Sequence, residues 1–196
     1  LVEAIIHRKE VTQNEISSLY SLNIIMGFSL SFIVFTSSSL VGKLYSEPEL
    51  IPLVQIMSVI FLISSFGVIF QVLLRKNLLF DTFAKINVFS HTFGFVFILI
   101  LATMGAGIYS LILGQVFKHT IITLLLILIA IRKRWFPQIR LCISEIAFYL
   151  KFGLYRVLAL SANQFNSRVD QLLIGAILGP SILGFYNIAF RIVYLP

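Results

Sequence analysis

The sequence predicts an all-α polytopic membrane protein. Three observations carry that prediction. Hydrophobic residues make up 59% of the 196 residues and charged residues only 12%, whereas a soluble domain is normally about a quarter charged. The apolar residues gather into five stretches of about 20 residues or more, each long enough to cross a hydrocarbon core of about 30 Å. No stretch shows the period-two alternation of a membrane β-barrel, so the spans are helices.

In chain order the spans cover residues 19–41, 52–74, 84–104, 108–131 and 154–179. Residues 1–6 are apolar and stop at His7-Arg8-Lys9, like the tail of an earlier span. The segment from Pro180 to Pro196 is too short to cross a bilayer. The expectation is therefore a piece of a longer chain, with five complete transmembrane helices and two partial ones.

The loops alternate in charge. Arg8 and Lys9, then Arg75, Lys76 and Lys85, then Arg132, Lys133, Arg134, Arg140 and Lys151 fall on one side. On the other, Lys43 stands against Glu47 and Glu49, and the Gly105-Ala106-Gly107 and Gly179-Pro180 turns are uncharged. Basic loops stay in the cytoplasm, so the Glu47-Pro48-Glu49 loop is external. This asymmetry accounts for the net charge of +7 without a nucleic-acid partner. Cys142 is the single cysteine, which excludes an internal disulfide.

Three regions follow: N-terminal helices over 1–131, a basic amphipathic cytoplasmic connector over 132–151, and the start of a second helical lobe over 152–196. In the connector, Trp135 and Phe136 sit beside three cations, as interfacial anchors do. It reads as an ordinary interfacial connector, a linker between two lobes, or a latch for anionic lipid headgroups.

The fifth span is the most polar. It carries Arg156, Asn163, Gln164, Asn166, Arg168, Asp170 and Gln171. Charges near a bilayer centre cost roughly 2.5–3.5 kcal/mol each on insertion scales. Such a helix faces protein or a wet cavity, and a solute pathway is the default reading. At 100° per residue Arg156, Asn163, Asn166 and Asp170 share one face, and Arg168 points elsewhere. The Gly179-Pro180 turn returns the chain antiparallel, so Asp170 and Arg191 lie at similar depth and are expected to form a structural ion pair. Arg168 then stays available to a solute, and Arg156 can snorkel toward cytoplasmic phosphates.

The fourth span holds Gln115, Lys118 and His119, and the turn at Gly105–Gly107 brings His91 to within about one helical turn of Lys118 in depth. A lone intramembrane histidine is more often a packing residue than a ligand. A buried ammonium needs an anion or water. No acidic residue falls inside the first four spans, so the excess of cations at depth favours an anionic solute. There is no Walker loop, no HExxH or other metal pattern and no GxSxG elbow. An enzyme is not expected, nor a metal or cofactor.

Several strings resemble one family. LVGKLYSEPELIPLVQIMSV is similar to its external loop and following helix, LLRKNLLFDTFAKI to a basic cytoplasmic turn, and GAGIYSLILGQV to a short external turn and the sixth helix. The strongest match is NQFNSRVDQLLIGAILGPSILGFYNIAFRIVYLP. Together they resemble the polysaccharide, lipopolysaccharide and teichuronic acid exporters of the multidrug/oligosaccharidyl-lipid/polysaccharide exporter superfamily. The resemblance covers essentially the whole chain and places it from the end of helix two to the start of helix eight. It implies a two-lobe inverted-V transporter of the bacterial cytoplasmic membrane. Such proteins move undecaprenyl-diphosphate-linked oligosaccharide outward by alternating access around a cationic cavity. In that frame Lys118 and Arg168 meet the diphosphate, and Asn163, Gln164 and Asn166 hydrogen-bond sugar hydroxyls. Membrane lipids, a polysaccharide polymerase and glycosyltransferases are the implied neighbours. The competing readings are a cation-coupled multidrug exporter, which favours acidic residues in the N-terminal spans, and a non-transporting scaffold, which needs no cation at depth.

Overall fold

The computed structural model describes residues 5, 11–135, 137–177 and 179–193, less the side chains of residues 148, 166, 167, 180 and 191–193. Among the described residues the regular structure is helical, without strands. The order is α1 (Gln13–Leu44), α2 (Leu50–Ser65), α3 (Val68–Lys76), α4 (Phe80–Thr103), α5 (Ile108–Arg132), α6 (Ile143–Ile177) and α7 (Pro180–Val193). The tail of an earlier span, expected over residues 1–6, lies outside the described residues except for Ile5.

The helix ends follow local chemistry. At the start of α1 the Thr12 hydroxyl accepts the Glu15 backbone N–H at 3.3 Å, and the Glu15 carboxylate accepts the Thr12 N–H at 2.8 Å. That reciprocal pair satisfies two donors that a helix start otherwise leaves open. The α4–α5 turn reverses the chain in four residues, Met104 to Gly107, because Gly105 and Gly107 take positive φ angles of 82° and 54°.

By length and composition α1, α4 and α5 can each cross a membrane. The expected second span is not one straight helix. It breaks at Phe66-Gly67 into α2 and α3, which meet at a bend of 45° and make a fourth crossing if taken as one span. The fifth expected span is the outer part of α6, a helix of 35 residues, about 52 Å long at 1.5 Å per residue. Residues 143–151, assigned from sequence to the connector, are its first turns. Among the described helices of 18 residues or more, α6 is the one not apolar enough to qualify as a span by composition.

Two antiparallel hairpins, α1–α2 and α4–α5, pack together through α2 and α5. The short α3 is held between α1, α4 and α5. The core gathers there: Leu19, Ile69, Leu74, Leu126, Ile146 and Tyr149 are almost wholly buried. Farther out, Phe28, Phe32, Ile33 and Phe35 on α1 are exposed, as residues facing lipid tails are, since acyl chains are as apolar as leucine.

The connector meets α1 through its main chain. The backbone N–H groups of Gln138 and Arg140 each donate at 3.0 Å, to the hydroxyls of Ser17 and Ser21 respectively. The N–H of Cys142 donates to Ser18 Oγ at 3.3 Å. Donors two residues apart, at 138, 140 and 142, thus all reach one helix. Ser18 Oγ also donates to Glu145 Oε2 at 3.2 Å, and Arg140 pairs with Glu145 Oε1 at 3.0 Å. All three serines are buried. The segment lying on α1 is thus non-helical, and α6 begins only after it.

Candidate functional site

The site grows from the α4–α5 hairpin and the break between α2 and α3. Lys118 lies ten residues into α5, about 15 Å from its N-terminal end. Its methylene stem runs over Gly94 of α4: a β-carbon on Gly94 would stand 2.9 Å from Lys118 Cβ. The hairpin can close this tightly because position 94 has no side chain. Beside it, Phe97 and Phe117 stack with centroids 4.2 Å apart.

The break in the α2–α3 span is held from both sides. Asn23 Nδ2 of α1 donates to the Ser65 carbonyl at 2.7 Å. Thr123 Oγ1 of α5 donates to the Ile63 carbonyl at 3.3 Å. The first occupies the Ser65 carbonyl, which in hydrocarbon would cost several kcal/mol if left bare; the second adds to the Phe66 N–H that the Ile63 carbonyl also accepts. Gly27 of α1 sits directly against the Ser65 side chain, and Gly67 faces Thr123. The side chain of Ser64, next to the break, lies 3.2 Å from His119 Nδ1, and the tautomer decides which group donates.

Around these residues lies a cavity of about 330 Å³. Its polar walls are Lys118, His119, His91, Asn87, Gln71 and Ser64. Among the described residues that line it, none is acidic. An ammonium is thus held near the middle of α5 beside carboxamides, imidazoles and hydroxyls, with no carboxylate among the described residues of the wall to pair with it. Such a chamber suits an anion that carries hydroxyls: the ammonium supplies charge, and carboxamides, imidazoles and hydroxyls supply directed hydrogen bonds. A second cavity, of about 350 Å³, lies on the other side of the break and shares Ser64, Val68 and His119 with the first.

The structure brings together Lys118, His119 and His91, as the hairpin register predicts. Gln115 is exposed on α5 and does not line the chamber. On α6, Arg156, Asn163, Gln164 and Arg168 are exposed, and they do not line the Lys118 chamber. Arg168 Nη1 donates to Gln171 Oε1 at 3.3 Å. The side chain of Asn166 lies outside the described residues. So does that of Arg191, and with it the expected pair with Asp170. The Asp170 carboxylate does accept a short hydrogen bond from the Tyr186 hydroxyl of α7. Sequence reading did not single out Gln71, Asn87 and Asn23; a carboxamide within a span was the available signal.

These features define a multi-pass helical membrane protein with a broken span and a cationic chamber within its first bundle. Over residues 1–196 the chain matches the family described as polysaccharide biosynthesis protein, and it belongs to that family. It is similar to the teichuronic acid biosynthesis protein TuaB of Bacillus subtilis (strain 168), with 32% identity over 98% of this chain and 40% of that protein. The lipopolysaccharide biosynthesis protein WzxC of Escherichia coli (strain K12) is 29% identical over 100% of this chain and 40% of its own length. The amylovoran biosynthesis protein AmsL of Erwinia amylovora is 24% identical over 98% and 50%. The chain therefore spans about 40 to 50% of the length of these relatives. No solved structure matches it.

Proposed function

We propose that this chain forms the substrate-handling part of a flippase that carries an undecaprenyl-diphosphate-linked oligosaccharide across the bacterial cytoplasmic membrane. The observation that supports this most is the Lys118 chamber, a cationic pocket at mid-depth with no acidic residue among its described walls. Lys118 meets the diphosphate, and His91, His119, Asn87 and Gln71 meet phosphate oxygens and sugar hydroxyls. Arg168, Arg156, Asn163, Gln164 and Asn166 of α6 form the facing wall in the whole protein, and the two bundles rock about the bound headgroup. The chain's part is binding and orientation of the headgroup, not bond making or breaking. The relatives' names, each a biosynthesis protein of a surface polysaccharide, fit this reading.

The test is complementation of an export-deficient strain by the full-length protein. Lys118→Gln should abolish surface polymer while the protein still inserts at normal abundance. Normal export by Lys118→Gln would point to a scaffold and remove the reading.

A further inference from the structure

Resting on the headgroup reading of the Lys118 chamber, we infer that the second cavity, between α1, α2 and α5, receives the first isoprene units of the substrate's lipid chain. The two cavities adjoin at the break in the α2–α3 span, where their linings overlap. Asn23, Ser64 and Ser65 ring the break, and beyond them the lining turns apolar, with Met26, Leu30, Ile60 and Phe61. Met26, Leu30 and Phe61 are between 37% and 43% exposed, so the cavity opens sideways at its apolar end.

The physical need is specific. A headgroup held at mid-depth sits away from both water interfaces. Its hydrocarbon chain then has to leave sideways, through a slot that is apolar along its length and polar where it meets the phosphate. The second cavity has that gradient, and Ser64, Val68 and His119 line both cavities. The Ser64–His119 hydrogen bond is the bar between them. It is a single side-chain contact, of the order of 1 kcal/mol, so a ligand that offers its own phosphate to His119 can displace it. Ligand chemistry and cavity chemistry then match end to end: anion at Lys118, hydrocarbon at Leu30 and Phe61.

The experiment uses the full-length protein in nanodiscs and undecaprenyl diphosphate bearing a diazirine in its first isoprene units. Label should fall on peptides containing residues 23–30 and 60–65, and excess unlabelled undecaprenyl diphosphate should displace it where phosphatidylglycerol does not. Leu30→Trp, placed on an exposed position that tolerates bulk, should cut that labelling by about tenfold and leave binding of inorganic diphosphate unchanged. Label on other helices only, or equal displacement by phosphatidylglycerol, overturns the inference. Lys118→Gln separates the two claims: if it leaves inorganic diphosphate binding intact, the headgroup reading has failed, whatever the chain label does.

Discussion

Gly94 and Lys118 face each other across the α4–α5 hairpin, the glycine α-carbon under the lysine stem, with only 2.9 Å between a β-carbon at position 94 and Lys118 Cβ. The ammonium's place in the chamber thus depends on a residue that never touches the solute. Gly94→Val should force the helices apart or turn the lysine aside. Overpacking of this kind costs about 1–3 kcal/mol. The full-length variant should unfold at lower temperature in detergent and export less polymer than its abundance allows. Unchanged export would mean that Lys118 acts from another position.

The broken span depends on hydrogen bonds from its neighbours. Asn23→Leu removes the donor to the Ser65 carbonyl. In membranes such a bond is worth about 0.6–2 kcal/mol. Thermal unfolding of the full-length protein should show a loss of that order, and a smaller one for Thr123→Val, whose bond is longer at 3.3 Å. Asn23→Leu with unchanged stability would mean the break keeps its shape without α1.

The connector should be protected from proteases on the cytoplasmic face. Ser18 accepts from Cys142 and donates to Glu145, so Ser18→Ala leaves both without that partner, at a cost of about 1–3 kcal/mol. Trypsin added to inside-out vesicles should cut at Arg140 faster in Ser18→Ala than in wild type. Equal rates would show that the serine contacts do not hold the segment down.

Cys142 stands where α6 begins. The Ser144 hydroxyl, and then the Glu145 backbone N–H, hold its thiol below the ordinary cysteine range. A lowered pKa means more thiolate at neutral pH than a free cysteine carries. In a variant whose sole cysteine is Cys142, the pH profile of iodoacetamide alkylation should have its midpoint below that of a free thiol. Ser144→Ala should move the midpoint up toward it. A midpoint that ignores Ser144 would remove the hydroxyl as the cause.

Outward movement of net negative charge, down an inside-negative potential, gains about 2.3 kcal/mol per charge per 100 mV. Flux of the lipid-linked substrate into vesicles, with proton and sodium gradients fixed, should rise when the potential is stepped from zero. No response would rule out voltage as the drive.

Much of this arrangement was legible in the sequence because it depends on length and on distance from a turn. Three residues at Gly105–Gly107 fix the α4–α5 register, so the meeting of Lys118 and His91 follows from counting. The break at Phe66-Gly67 did not stand out. Its signal, Ser64-Ser65 followed by Gly67 in mid-span, reads equally as close packing, and the donors from Asn23 and Thr123 that support the break come from helices distant in sequence. The connector's basic and aromatic residues mark an interfacial segment but not its conformation, which depends on serine hydroxyls of α1 that accept its backbone N–H groups at 138, 140 and 142. The polar stripe of α6 was legible as a stripe, while the surface it meets depends on distant parts of the chain.

Because the segment 138–142 is gripped by its amide groups, the identity of its side chains matters little at the points of attachment. Any residue except proline at positions 138, 140 and 142 would still offer the same donor. The burden of sequence constraint therefore passes to Ser17, Ser18 and Ser21 across the gap. Among related chains the loop should drift in letter while the three helix positions keep small hydroxylated residues.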